Sequence, residues 1–213
     1  MAKKQVNPNE GKFTSDYLSI DEFTRLLDCL DKDKEYFWET YALVQFCTGL
    51  RISDVRTLTW GDMLQEEFDK HEIKTGKKRD IFVADELIIA RLRDLYIKQG
   101  KPGANKLILA SGKTSNTGTA VSAQYINRVI KTWKEKYNLK VGNFSSHSFR
   151  KTFGRCVYDS YEGASREDAL LLLCDIFNHT KVEVTKRYLG IRKSEIKKVY
   201  SNLLSGHHHQ GLL

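Results

Sequence analysis

No stretch of the 213-residue chain approaches the roughly 20 consecutive apolar residues that a membrane span needs. The opening MAKKQVNPNEGK is polar throughout and has no hydrophobic core of a secretion signal. A cytoplasmic protein with no membrane partner is therefore expected. Cysteine is sparse: Cys29, Cys47, Cys156 and Cys174 lie far apart in mostly apolar helical patterns. They form neither a CxxC clip nor a disulfide framework, and read as buried thiols of a reducing compartment. HExxH, a His/Cys cluster at zinc spacing and an Asp-rich calcium loop are all missing, so no metal site is expected. Gly112-Lys113-Thr114 lacks the upstream glycine of a nucleotide-binding phosphate loop, so no cofactor is expected either. There is no GxSxG, and the serines near His147 have no evident acidic third member, which argues against a serine hydrolase. Homeodomain and zinc-finger patterns are absent as well.

What the chain has is positive charge on a helical framework. Lys and Arg number 35 against 27 Asp and Glu, a formal +8 with a pI near 9.2. That surplus favours an anionic partner but says nothing of fold. A hydrophobic content of 40% supports one sizeable core. Residues 1–16 read as a flexible leader and 205–213 as a disordered tail with a histidine run. Ser19-Ile-Asp-Glu22 predicts a capping box opening a helix with Phe23, Leu26, Leu27 and Leu30 on its buried side. A second helix, about 35–48, is apolar nearly all round and ends at Gly49. His71–Thr75 and Arg79–Val83 alternate like two strands, with Gly76-Lys77 as the hairpin turn. Further helices are predicted over about 85–98, 122–137, from Ser146, from Ser165, and over 193–204. Tyr125 is expected to face inward in the second of these. The fold class is mainly α with a small antiparallel β-hairpin (α+β).

Several basic residues stand where a solvated surface explains them as well as chemistry does. Arg51, in the first turn of a short helix, opposes the helix dipole; it is either ion-paired or, with the helix N-terminus, an anion site. Lys74, beside Lys77, Lys78 and Arg79 at the expected hairpin tip, either protects a sheet edge or reaches a DNA groove. Arg128 and Lys131, with Lys134 and Lys136, line one side of the 122–137 helix as a phosphate-tracking face or as ordinary solvated charge. His147 and Arg150 lie three residues apart and so share a helix face, with the Arg150 head expected half-buried against an anion or polar partner. Tyr188 is either an amphipathic-face tyrosine, with Val184 one turn before it, or a nucleophile. Tyr200 is its nearest competitor, but it falls on the apolar stripe of its own helix.

Taken in order, TGLRISDV with Arg51, IKTGKK with Lys74, HSFRKTF with His147 and Arg150, and NHTKVEVTKRY with His179 and Tyr188 resemble the tyrosine recombinases. These are the phage and conjugative-transposon integrases and their chromosome-dimer-resolving relatives. The resemblance implies a catalytic domain over 17–204 that breaks and rejoins DNA. In it Tyr188 is the nucleophile, Arg51 and Arg150 grip the phosphate, and Lys74 protonates the departing 5′ oxygen. His147 is the acid/base and His179 a phosphate hydrogen-bonder. It implies double-stranded DNA as partner, a homo-tetramer on DNA and a monomer when free, no cofactor, and a place in the bacterial cytoplasm or nucleoid. It also implies integration or excision of a mobile element as the role. Relatives normally carry an N-terminal DNA-binding domain, so the chain is expected to be the catalytic part of a longer protein or a minimal relative. Where relatives have Leu-Gly before the second histidine, this chain has Phe177-Asn178. A non-catalytic DNA-binding module and a type IB topoisomerase-like relaxase are the alternatives on the same scaffold.

Overall fold

The computed structural model describes residues 15–111, 119–163, 165–191 and 200. The chain divides into two compact units, Met1–Cys156 and Val157–Leu213. Among the described residues the first unit begins with α1 (Ile20–Lys32) and α2 (Tyr36–Thr48), followed by the single-turn α3 (Ile52–Val55) and α4 (Trp60–Met63). Ser19 caps α1 by accepting from the Glu22 amide at 3.2 Å. The Glu22 carboxylate does not return to Ser19 but takes Arg25 at 2.7 Å and the Lys140 amide at 2.7 Å, so only half of the expected capping box forms. The full box is on α4 instead, between Thr59 and Asp62.

Strands β1 (Glu67–His71) and β2 (Lys78–Phe82) pair antiparallel, with Lys70 opposite Arg79 and His71 opposite Lys78. The first strand therefore ends where it was expected to start, and residues 72–77 form a broader turn holding Lys74. The reason is local: the Glu72 amide still reaches the Lys77 carbonyl at 3.0 Å, but the Ile73 amide turns away to the Asp54 carboxylate at 2.8 Å, so the regular ladder stops there. Phe68 and Ile81 face the core. Because side chains alternate along a strand, Arg79 points to the same side as Ile81.

Helix α5 (Glu86–Lys98), capped by Asp85, packs on α2. A small second hairpin, β3 (Ala110–Ser111) with β4 (Thr119–Ala120), precedes α6 (Ala123–Lys136). That pairing was not expected; Ile108 and Leu109, just before it, are buried. Tyr125 is exposed rather than inward, with Arg128 5.1 Å over its ring.

Helix α7 (Ser146–Ser160) is fixed by Phe149, whose ring meets Tyr41 at 5.8 Å, Phe144 at 5.5 Å, Phe23 at 6.1 Å and Trp133 at 6.5 Å. Edge-on aromatic pairs of this kind contribute roughly 0.5–1.5 kcal/mol each beyond area burial. Residues 15–18 lie against the same helix. The Lys151 ammonium donates to the Ser15 carbonyl at 2.6 Å, the Leu18 amide to the Thr152 hydroxyl at 2.9 Å, and the Ser15 and Ser145 hydroxyls are 2.5 Å apart.

The second unit contains α8 (Arg166–Ile176), capped by Ser165, and α9 (Val182–Leu189). Ala169, Leu170, Leu173, Phe177 and Leu189 are buried. The helix expected over 193–204 lies outside the described residues except for Tyr200, which is 71% exposed. The leader up to residue 14 and the tail also lie outside them. Among the described residues no helix is long and apolar enough to cross a membrane, and no group of His, Cys, Asp or Glu could hold a metal ion.

Candidate active site

In the first unit the site is built around one carbonyl. Helix α2 ends at Gly49, whose φ of +56° turns the chain sharply. The Gly49 oxygen accepts from Arg150 at 2.5 Å and, more distantly, from Arg79 at 3.5 Å, while Arg79 also donates to the Thr48 oxygen at 2.5 Å. Arg51 follows two residues later as N-cap of α3. Arg51 and Arg150, 99 positions apart in sequence, are thus brought to one locus by α2's end and by the Phe149 anchor of α7.

Of the two readings of Arg51, the structure shows an ion pair. Its guanidinium meets Glu72 at 2.6 Å, with 17% of the arginine side chain and none of the glutamate side chain exposed. Helix α3 is a single turn, too short for its N-terminus to be an anion site of its own. Arg150 is 2% exposed, more deeply set than the half-buried position expected. Arg79 is a correction: it is 9% exposed and turned inward, not part of the basic tip. Its direction follows from the strand alternation that buries Ile81, and the Thr48 and Gly49 carbonyls hold it there. Burial first, then the charges of Arg150 and Arg51, pushes its pKa down to about 9, against the pull of Glu72 and Asp54. A guanidinium at that value still carries its charge at neutral pH.

The turn 72–77 presents Lys74 and Lys77 to solvent, and Lys78 follows at the start of β2, within 3.7 Å of Asp80 and 3.9 Å of Asp69. His147 sits in the first turn of α7, where the Ser145 hydroxyl accepts its amide at 3.3 Å and the Asn127 side chain accepts the Ser146 amide at 3.0 Å. Desolvation, then the charges of Arg150, Lys151, Arg51 and Lys74, hold the imidazole below its ordinary 6.5. A neutral imidazole among cations can accept a proton. Arg128 and Lys131 are exposed on α6 and line an open depression with Gln124 and Asn127.

Sequence reasoning did not pick out Glu72, Asp54 or the inward role of Arg79. Two buried guanidiniums, Arg79 and Arg150, and the partly buried Arg51 stand with two buried carboxylates, Glu72 and Asp54. Glu72, two residues before Lys74 on an alternating strand pattern, was the legible signal. Asp54, one helical turn after Arg51, was the other.

In the second unit, His179 Nδ1 lies 2.9 Å from the Thr185 hydroxyl, which sets the ring's orientation. Phe177, His179 and Tyr188 form a triangle of rings with centroids 5.4, 5.5 and 5.6 Å apart. The Tyr188 hydroxyl is shielded from solvent. The Phe177-Asn178 departure is explained by the backbone: Asn178 has a φ of +51° and takes the left-handed place a glycine would hold. The His179 amide then closes back on the Cys174 carbonyl at 2.9 Å.

The sequence model of the phage integrase family matches residues 16–195. The chain belongs to the phage integrase family. Within that family, the tyrosine recombinase XerD of Staphylococcus epidermidis is 26% identical over 198 residues, which cover 91% of this chain. The chain spans 64% of that relative's length. The crystal structure of XerA recombinase has the same fold, with a TM-score of 0.63 at 19% identity over 98% of this chain and 68% of that one. A lambda integrase tetramer bound to a Holliday junction gives 0.62 at 14% identity, over 86% and 50%. The mainly helical architecture with small antiparallel sheets is that of a tyrosine recombinase catalytic domain.

Proposed function

We propose that this phage integrase family member cuts and rejoins double-stranded DNA at specific sites through a 3′-phosphotyrosine on Tyr188, in integration or excision of a mobile element. The observation that carries the reading is that Arg51 and Arg150, 99 positions apart in sequence, meet at the end of α2, where Arg150 holds the Gly49 oxygen at 2.5 Å and Arg51 holds Glu72, two residues before Lys74. Such a pocket suits a phosphodiester whose charge grows as a fifth oxygen joins phosphorus. Arg51 and Arg150 hold the non-bridging oxygens, each worth roughly 3 kcal/mol of barrier by analogy with oxyanion donors. The ordinary phenol pKa near 10 makes Tyr188 a weak nucleophile until clustered cations and a base favour its phenolate. Its oxygen forms a bond to phosphorus as the bond to O5′ breaks. Lys74 supplies the proton that O5′ takes, His147 moves a proton as acid/base, and His179 hydrogen-bonds the phosphate. The phosphotyrosine conserves the bond energy, so a 5′-hydroxyl of another duplex reverses the step, and the scheme calls for neither a metal nor a nucleotide.

Lys77, Lys78, Arg128 and Lys131 are proposed to follow the DNA backbone, and the working form to be a tetramer on DNA from a monomer in solution, in the bacterial cytoplasm. The test is a pool of nicked duplexes with randomised arms, in which strand cleavage releases a short fragment and traps the adduct. The parent forms a denaturation-resistant protein–DNA complex mapped to Tyr188, and Tyr188→Phe binds the pool but forms none. Covalent trapping by the phenylalanine variant refutes the assignment. Salt-sensitive binding with no adduct from the parent points to a binding module, and supercoil relaxation without strand exchange to a topoisomerase.

A further inference from the structure

We propose that Glu72 is a positioning residue that ties Arg51 to the turn bearing Lys74, so that the phosphate grip and the proton donor are set by one buried carboxylate. The functional half of this rests on the roles given above to Arg51 and Lys74; the tie itself rests on geometry.

Glu72 joins Arg51, Arg79 and the turn bearing Lys74. Its Oε2 accepts from Arg51 at 2.6 Å and from the Thr75 hydroxyl at 2.9 Å, and its Oε1 lies 3.9 Å from the Arg79 guanidinium. Its backbone closes the turn: the Glu72 amide donates to the Lys77 carbonyl at 3.0 Å, and the Gly76 amide donates to the Glu72 carbonyl at 2.8 Å. The Thr75 hydroxyl also accepts the Lys77 amide at 3.3 Å. Lys74 is therefore bracketed by Glu72 and Thr75, both fastened to the same carboxylate oxygen that Arg51 holds. A lysine at an exposed hairpin tip would otherwise sweep many rotamers and a mobile turn, a poor arrangement for delivering a proton to one oxygen.

A carboxylate with no solvent exposure is expensive unless paired. Burial pushes the Glu72 pKa up, but the Thr75 hydroxyl, the Arg51 hydrogen bond and the charges of Arg51 and Arg150 outweigh it and leave the group below the usual 4.5. It is thus an anion at neutral pH and has no proton to give. What remains for it is to hold Arg51 by one edge of its planar fork and to keep three guanidiniums together without a phosphate present. When DNA is absent, the same ion pair keeps the turn in its working position.

The tie is tested first without DNA, by amide hydrogen exchange across residues 72–77 in the parent, Glu72→Ala, Arg51→Met and the double variant. Losing a charge-assisted hydrogen bond of this kind is expected to speed exchange of the Gly76 and Lys77 amides roughly tenfold to a hundredfold. The acceleration appears in both single variants, and the double variant is no faster than Glu72→Ala. If Arg51→Met leaves the turn as protected as in the parent, or if the two effects multiply, the tie does not exist. Glu72→Gln, which keeps the hydrogen-bonding shape, shows the smaller effect and confirms that the fold survives.

The functional half uses the nicked duplexes recovered above and the same duplexes with sulfur in place of the bridging 5′ oxygen, since a thiolate leaves without a proton donor. Lys74→Ala and Glu72→Ala both slow cleavage of the oxygen substrate by roughly a hundredfold; on sulfur Lys74→Ala returns to near the parent rate, and Glu72→Ala recovers the share owed to Lys74 while keeping the share owed to Arg51. Failure of Lys74→Ala to recover sinks the acid role of Lys74 and leaves the tie standing on its exchange result. Recovery of Lys74→Ala without recovery of Glu72→Ala overturns the proposal that Glu72 acts through Lys74. A parent that forms no adduct on any duplex ends the recombinase reading and the functional half together, and the exchange measurement still decides the tie.

Discussion

Replacing Gly49 with alanine is the most searching single perturbation of the site's frame. Two costs are legible. Gly49 has a φ of +56°, a conformation that costs alanine about 1–2 kcal/mol more than glycine. A Cβ there would stand 2.6 Å from Phe153 Cδ1 and 2.9 Å from Cε1, closer than carbon atoms approach without something moving. Forcing a core ring aside costs typically 1–3 kcal/mol more. The expected loss is therefore roughly 2–5 kcal/mol. Trp38, Trp60 and Trp133 all lie in the unit Met1–Cys156, so urea unfolding followed by tryptophan fluorescence reads this unit selectively. The double variant Gly49→Ala/Phe153→Leu relieves the steric share and retains the backbone share, so the two substitutions couple by about 1–3 kcal/mol. Phe153 is one turn from Arg150, and Arg150 donates to the Gly49 oxygen, so strand cleavage falls by more than the stability loss explains. A shift of about an ångström at a phosphate grip is worth around a hundredfold. A Gly49→Ala protein within 1 kcal/mol of the parent, or one with no coupling to Phe153, shows that this junction is not what sets the arginines.

Three further predictions concern charge and backbone. The acid limb of the cleavage rate against pH lies below 6.5, because the cations around His147 disfavour its imidazolium; Lys151→Met removes one of them and moves that limb upward. Glu72 has a folded-state pKa below 4.5, so its stabilisation is complete above that value and is lost as pH falls through the lower, folded one. Acid unfolding of the parent is therefore steeper below pH 4.5 than that of Glu72→Gln, and parallel curves contradict this. Asn178→Gly leaves the melting temperature unchanged or raises it, whereas Asn178→Ala costs roughly 1 kcal/mol, because only the glycine fits a φ of +51° freely.

The helices were legible because their signals are local. Ser19, Asp85, Ser122 and Ser165 each cap a helix that carries its own periodic apolar face. The hairpin was placed a few residues late because the strand pattern continues through Glu72 and Ile73. Past Glu72 the ladder stops because a partner far off in sequence, Asp54, takes the Ile73 amide, while Arg51 holds the Glu72 side chain. Arg79 looked like surface charge by composition, yet alternation with Ile81 already pointed it inward. The motif residues were picked out through their order and family-like spacing. Glu72 and Asp54 stood close to Lys74 and Arg51 in sequence, but which arginines a carboxylate neutralises shows itself only when the chain is folded.

The clasp between residues 15–18 and α7 ties the segment leading into α1 to the helix bearing His147 and Arg150. Lys151 and Thr152, which hold Ser15 and Leu18, are immediate neighbours of Arg150 in sequence. Shortening the polypeptide past Leu18 would strip the Lys151 ammonium of the Ser15 carbonyl it now holds and leave a buried cation to find water.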